Sequence, residues 1–157
     1  MQVDKRTRAR ELTLQALYQL DVQGVLAFEY LDQFFKEADR DDFVCQLAAE
    51  WTKGTWDNLA QCDKLIADAT IRWQFGRLPT VDKSILRLAV YQLKFCSDIP
   101  PKVVINEAIE LAKKYSTDKS GPFVNGVLDA VLKKSCPVSL DSNPPKADEQ
   151  QTMSEES

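Results

Sequence analysis

Apolar residues recur at helical spacing almost from the start of the chain. Ala9, Leu12, Ala16 and Leu20 follow i, i+3, i+7 and i+11, with Leu17 beside them, which puts them on one helical face. Gly24 ends that run. Phe28, Leu31, Phe35 and Ala38 predict a short second helix. Phe43, Leu47 and Trp51 open a third that extends through Leu59, and a less regular stretch over 62–73 predicts a shorter one. Pro79 and Thr80 mark a fresh start, with Thr80 read as an N-cap and Asp82 as a first-turn acid. Over 81–95, Ile85, Leu88, Ala89 and Leu93 gather on one side. Asp98-Ile99-Pro100-Pro101 is an extended entry with Pro101 suited to a first helical position, and Ile105, Ala108, Ile109 and Ala112 stripe the helix behind it. A polar turn over 116–122 precedes a last helix carrying Val124, Val127, Leu128 and Val131.

Strand-like alternation of any length is missing. The pattern predicts an all-α protein of about seven helices, arranged as two packed three-helix bundles that meet near the break at 76–79. Residues 137–157 hold Val138 and Leu140 as their only aliphatic side chains larger than alanine. Burial of so little apolar surface cannot offset the entropy of ordering, so a disordered C-terminal tail is expected after a helical domain spanning 1–136.

Charge changes this picture in one place. The 157 residues carry 20 basic and 24 acidic side chains, a net charge of −4. The tail holds one lysine, Lys146, against five acids, so it accounts for the whole excess and the body is balanced. On that balanced background Lys5, Arg6, Arg8 and Arg10 crowd the start of the first helix. A helix N-terminus carries partial positive charge and disfavours cations. Arg6 and Arg10 also repel across one turn, and Glu11 offsets only Arg8. An anionic partner would supply the compensation missing locally, and a nucleic-acid backbone is the commonest one with repeated charge. Tyr18 lies two turns beyond Arg10, about 80° around the helix, so a row of cations leads to a ring on which a base can stack. The same ring fits a core-facing position with its hydroxyl at the rim.

Candidate chemistry is otherwise sparse. Cys45, Cys62, Cys96 and Cys136 form no C-x-x-C pair, and histidine is absent, which removes the usual zinc patterns and any scheme needing imidazole. The first three cysteines fall in helical patterns and read as small buried residues. Five glycines include no phosphate-cradling loop. Glu107 and Glu110, one turn apart, read as a solvated face with Lys113 and Lys114 as partners of Glu110. No enzyme, cofactor or metal site is expected. With no signal peptide and no apolar run of spanning length, a cytoplasmic protein is expected.

Arg-Ala-Arg-Glu at 8–11 with Leu14-Gln15-Ala16-Leu17-Tyr18, VDKSILRLAVYQL at 81–93, IPPKVVINEAIELAKKYS at 99–116 and FVNGVLDAVLKK at 123–134 resemble, in this order and spacing, the bacterial transcription antitermination factor NusB family. The resemblance spans about residues 5–134 and is weakest between 25 and 75. It implies two three-helix bundles with an extra helix and no enzymatic activity. It also implies binding of boxA RNA with NusE, a small-subunit ribosomal protein, within the RNA polymerase antitermination complex on ribosomal RNA operons.

Residue by residue, the resemblance places Lys5, Arg6, Arg8, Arg10 and Tyr18 at the RNA and Phe123 along its path. It puts Asp82 at the junction of RNA and NusE, with Arg87 further along that helix on a protein-partner surface. Asp82 also fits a plain first-turn acid, Phe123 a core position, and Arg87 an ordinary surface cation. Asn125 and Gly126 read as packing or close-approach residues. Thr7, Lys119 and Pro122 depart from the family pattern of continuous arginine, an acid and a lysine at those places. Some family members pair with themselves, so a homodimer stays open. Similar domains open certain RNA cytosine methyltransferases, so a fragment of such an enzyme is the runner-up reading, and a helical interaction module without RNA is a third. Four phosphate contacts on a single-stranded, U-rich RNA predict a log–log salt slope of roughly −3. Glu149, Glu155 and Glu156 are expected to compete with RNA for the arginines.

Overall fold

A computed structural model describes residues 4–70 and 77–135. Seven α-helices lie within them: α1 (Lys5–Gln23), α2 (Phe28–Ala38), α3 (Asp42–Asp57), α4 (Leu59–Ala69), α5 (Thr80–Phe95), α6 (Pro101–Tyr115) and α7 (Ser120–Ser135). A 3₁₀ turn, Val25–Ala27, links α1 to α2. No strand occurs among the described residues. The tail at 137–157, Cys136 and the start of the 76–79 break lie outside them.

Helix ends follow local chemistry. Asp4 caps α1 by accepting from the Arg6 N–H at 2.7 Å, and Asp41 caps α3 by accepting from Phe43 at 2.9 Å. Gly24, at φ 90°, closes α1 in a conformation that other residues rarely adopt. Pro101 takes the first position of α6, where its missing N–H costs nothing.

Three boundaries differ from expectation. The third helix stops at Asp57, because Asn58 leaves helical geometry and its side chain donates to the Gly54 carbonyl at 2.8 Å. α4 then begins at once and ends at Ala69, while 71–73 lie outside the described residues. Thr80 is the first residue of α5 and caps nothing; Pro79 precedes it as the N-cap. α7 begins at Ser120, so Gly121 and Pro122 belong to its first turn, which tolerates proline because its N–H groups need no intrahelical acceptor.

α1, α2 and α3 pack as one bundle and α5, α6 and α7 as the other, with α4 laid against α5 and α7 as the extra helix. α5 is the shared element, touching α1, α3, α4, α6 and α7. It is buried nearly all round: Leu86 and Val90, off the face expected from the pattern, are as enclosed as Ile85, whereas Leu93 is only half-buried. Gly54 lets α3 approach α5, since a Cβ there would overlap the hydroxyl end of Tyr91.

Arg87 is the polar centre of this arrangement. Its Nε and Nη2 donate to the two Asp63 carboxylate oxygens at 2.7 and 2.9 Å, and Nη1 donates to Asp21 at 3.1 Å. One side chain thus ties α5 to α4 and α1. Burial opposes its charge, yet Asp63 and Asp21 together hold the guanidinium above its ordinary pKa. The alternative of an ordinary surface cation is therefore corrected: Arg87 is 6% exposed. Arg87→Met should cost about 2–3 kcal/mol, somewhat below the range for fully enclosed pairs because both carboxylates keep access to water. A shift of the urea midpoint of that size checks it.

Candidate nucleic-acid interface

The cations that open α1 all have local company. Asp4 puts a carboxylate where the helix N-terminus favours one. Lys5 Nζ lies 2.8 Å from Asp41, which raises the lysine's pKa and lowers that of the aspartate. Arg6 lies over the Phe43 ring at 5.6 Å. Arg8 pairs with Glu11 at 3.0 Å and with Asp39 at 3.5 Å, and donates to the Ala38 carbonyl at 3.3 Å. Arg10 pairs with Glu107 at 3.4 Å and stacks over Trp51 at 5.1 Å. The compensation that local sequence lacks comes from the α2–α3 loop and from α6.

Solvent access divides these residues. Lys5 and Arg6 are exposed and Arg8 is half-buried, so three of the four can meet a ligand. Arg10 cannot, and its place in an outward row is corrected: it is 3% exposed, burial pushes its pKa down, and its Nε has no hydrogen-bond partner. The cause is packing. α1 is buried continuously over residues 9–14, so position 10 faces protein on every side. Tyr18, by contrast, is 42% exposed, which settles its ring at the surface.

Two glutamates join α1 to α6. Glu11, buried, holds Arg8 on one oxygen and Lys114 on the other at 2.7 Å. Glu107 accepts from the Thr7 hydroxyl at 2.8 Å as well as from Arg10. Glu110 fits the solvated-face reading and pairs with Lys113 at 3.3 Å, but Lys114, expected as its other partner, goes to Glu11, and the reading is corrected for Glu107.

A second cluster lies where α5, α6 and α7 converge. Asp82, 6% exposed, accepts from the Ser116 hydroxyl at 2.6 Å and from the Ser120 hydroxyl at 3.1 Å. Ser116 and Lys119 share the S-x-x-K spacing of some nucleophile pairs, but that serine is already committed to a carboxylate. Half-buried Phe123 stands beside Asp82 in a pocket of about 320 Å³ that Leu78, Pro79 and Lys119 also line. Asn125 and Gly126 are exposed, and nothing lies within van der Waals reach of a Cβ at Gly126, so neither is a packing residue.

Sequence reasoning missed Asp39, Asp41 and Glu107 as partners of the cations. The acids of 39–42 are visible as a run, but their targets lie more than thirty positions away, which periodicity cannot reveal. Arg10→Leu should lower stability by about 1–3 kcal/mol, while Arg6→Ala should change it by less than about 0.5 kcal/mol. Paired denaturation curves distinguish the buried arginine from the exposed one.

The NusB family model matches residues 7–133. A transcription antitermination protein NusB from Syntrophus aciditrophicus (strain SB) is 42% identical over 130 residues, covering 83% of this chain and 81% of its own. Another, from Anaeromyxobacter dehalogenans (strain 2CP-1 / ATCC BAA-258), is 45% identical over 128 residues, covering 81% and 89%. Among solved structures, T. maritima NusB matches with a TM-score of 0.74 at 38% identity, covering 88% of this chain and 96% of its own. A crystal structure of antitermination factors NusB and NusE in complex with dsRNA matches with a TM-score of 0.75 at 28% identity, covering 83% and 97%. Seven helices in two bundles, the extra helix against α5 and α7, and these likenesses across nearly the whole described chain agree: the chain belongs to the NusB family.

Proposed function

We propose that this chain is a non-enzymatic, RNA-binding adaptor of transcription antitermination that acts in the cytoplasm with NusE and RNA polymerase on ribosomal RNA operons. One observation carries the reading: Lys5, Arg6 and Arg8 reach solvent at the start of the helix that also exposes Tyr18. Guanidinium and ammonium groups hold phosphates there, and the tyrosine ring offers a face to a base. Phe123 supplies a further apolar contact along the strand. The cluster of Asp82, Ser116 and Ser120 shapes the neighbouring surface that meets NusE. Arg87 serves that surface by fixing α5 from within, and Arg10 serves the arm by fixing α1, neither by touching a partner.

A family relative solved with NusE and dsRNA supports the partners. The ligand proposed here is a U-rich single strand of boxA type, because stacking on Tyr18 requires an unpaired base. With Arg10 withdrawn, three phosphate contacts give a log–log salt slope of about −0.7 × 3, or roughly −2. Fluorescence anisotropy with a boxA-type oligonucleotide across a salt series measures it, and a flat response rejects the arm as the contact. Lys5→Ala and Arg6→Ala should weaken binding to many sequences alike, whereas Tyr18→Ala should cost about 1–3 kcal/mol. NusE should tighten RNA binding by the same factor as RNA tightens NusE binding, and absence of that coupling defeats the adaptor model.

A further inference from the structure

The ion pairs around the basic arm differ in how far they are open to water. On the α6 side each pair has one enclosed member: the Arg10 side chain is 4% exposed opposite Glu107, and Glu11 is 7% exposed opposite Lys114. On the α2–α3 side both members face solvent, with Lys5 at 63% against Asp41 at 30%, and Arg8 at 31% against Asp39 at 25%. An enclosed pair resists separation, because either member would be left desolvated and unpaired. An exposed pair exchanges partners readily.

The loop is also built to present its acids. Asp39 uses Oδ1 to accept from the Asp41 N–H at 2.9 Å, and Asp41 uses Oδ1 to accept from the Phe43 N–H at 2.9 Å. The Cys45 thiol donates to the carbonyls of Phe35 and Asp39, both at 3.2 Å. Each carboxylate is thereby fixed through one oxygen and offers the other, Oδ2, to the arm: Asp39 to Arg8 and Asp41 to Lys5. Two carboxylate oxygens are thus held in place against two cations of the arm.

We propose that the α2–α3 loop is a built-in competitor for RNA: Asp39 and Asp41 occupy Arg8 and Lys5 in the free protein, and RNA phosphates displace them on binding. This rests on the reading of the arm as an RNA contact and adds how that contact is regulated. Arg6, which makes no ion pair among the described residues, is the cation available from the outset. Arg8 keeps Glu11 throughout and exchanges only Asp39. The loop raises the threshold for weak or isolated anions, while a strand offering several phosphates at once overcomes it.

The test is RNA affinity of the double variant D39N/D41N, measured on the full chain with a boxA-type oligonucleotide at low and moderate salt. Asparagine keeps an acceptor oxygen for the Asp41 and Phe43 N–H groups and is a good N-cap, so the loop and α3 are retained while the charges go. Loss of two exposed pairs should tighten binding by about 2- to 30-fold. D42N is the control, since Asp42 opens α3 directly after the loop and pairs with no cation among the described residues. It should change affinity by less than about 2-fold if pairing matters more than the loop's general field.

An equal gain per charge from D42N, or no gain from D39N/D41N, overturns the proposal. A cycle guards against indirect effects: in a Lys5→Gln background the gain from D41N should vanish, and its persistence also overturns the proposal. A wild-type chain that binds no RNA at any salt defeats the RNA reading and this inference with it. A wild-type chain that binds, with variants that do not gain, defeats the competitor alone.

Discussion

Arg87 lies on the helix against which five of the other six are packed, and its guanidinium donates to Asp63 on α4 and to Asp21 on α1. A charge in the interior is tolerated only when it is paired and its donors are satisfied. The three contacts form only when these turns of α1, α4 and α5 face one another, which adds a directional constraint to the apolar packing. The N-terminal bundle is thereby registered against the C-terminal one, and the position of α1 follows.

α1 carries both the core and the candidate interface, and the division occurs within a few turns. Ala9, Leu12, Ala16, Leu17 and Leu20 are fully enclosed, while Lys5, Arg6 and Tyr18 on the same rod reach solvent. A rigid helix held by its core residues presents its exposed ones without the entropy that a loose basic segment would lose on binding. Arg10, enclosed between Glu107 and the Trp51 ring, belongs with the holding residues although its chemistry resembles that of its neighbours.

The cations at this helix start are opposed by the helix dipole and stabilised by tertiary neighbours. Asp4 satisfies the terminus, the α2–α3 loop answers Lys5 and Arg8, and α6 answers Arg10 through Glu107. A chain that is balanced over its body thus places its acids so that the arm is neutralised in part and from chosen directions. On the outward side Arg6 lies over Phe43 and stays exposed.

Periodicity determined much on its own. The apolar spacing marks α1, α2, α5, α6 and α7, Gly24 and Pro101 mark an end and a start, and the family blocks at 81–93, 99–116 and 123–134 identify the fold, because all of these are local signals carried by neighbouring residues. The tertiary structure alone decided which charges are available. Arg6 and Arg10 stand one turn apart and look equivalent in sequence, yet one is exposed and the other is 3% exposed. Arg87 reads as a partner-surface residue or an ordinary surface cation and is the centre of a buried ion-pair group, and Glu107 reads as a solvated acid and is a partner for α1. The reason is the same in each case: solvation and pairing depend on residues brought together from distant positions, and spacing along one helix holds no record of what packs against it.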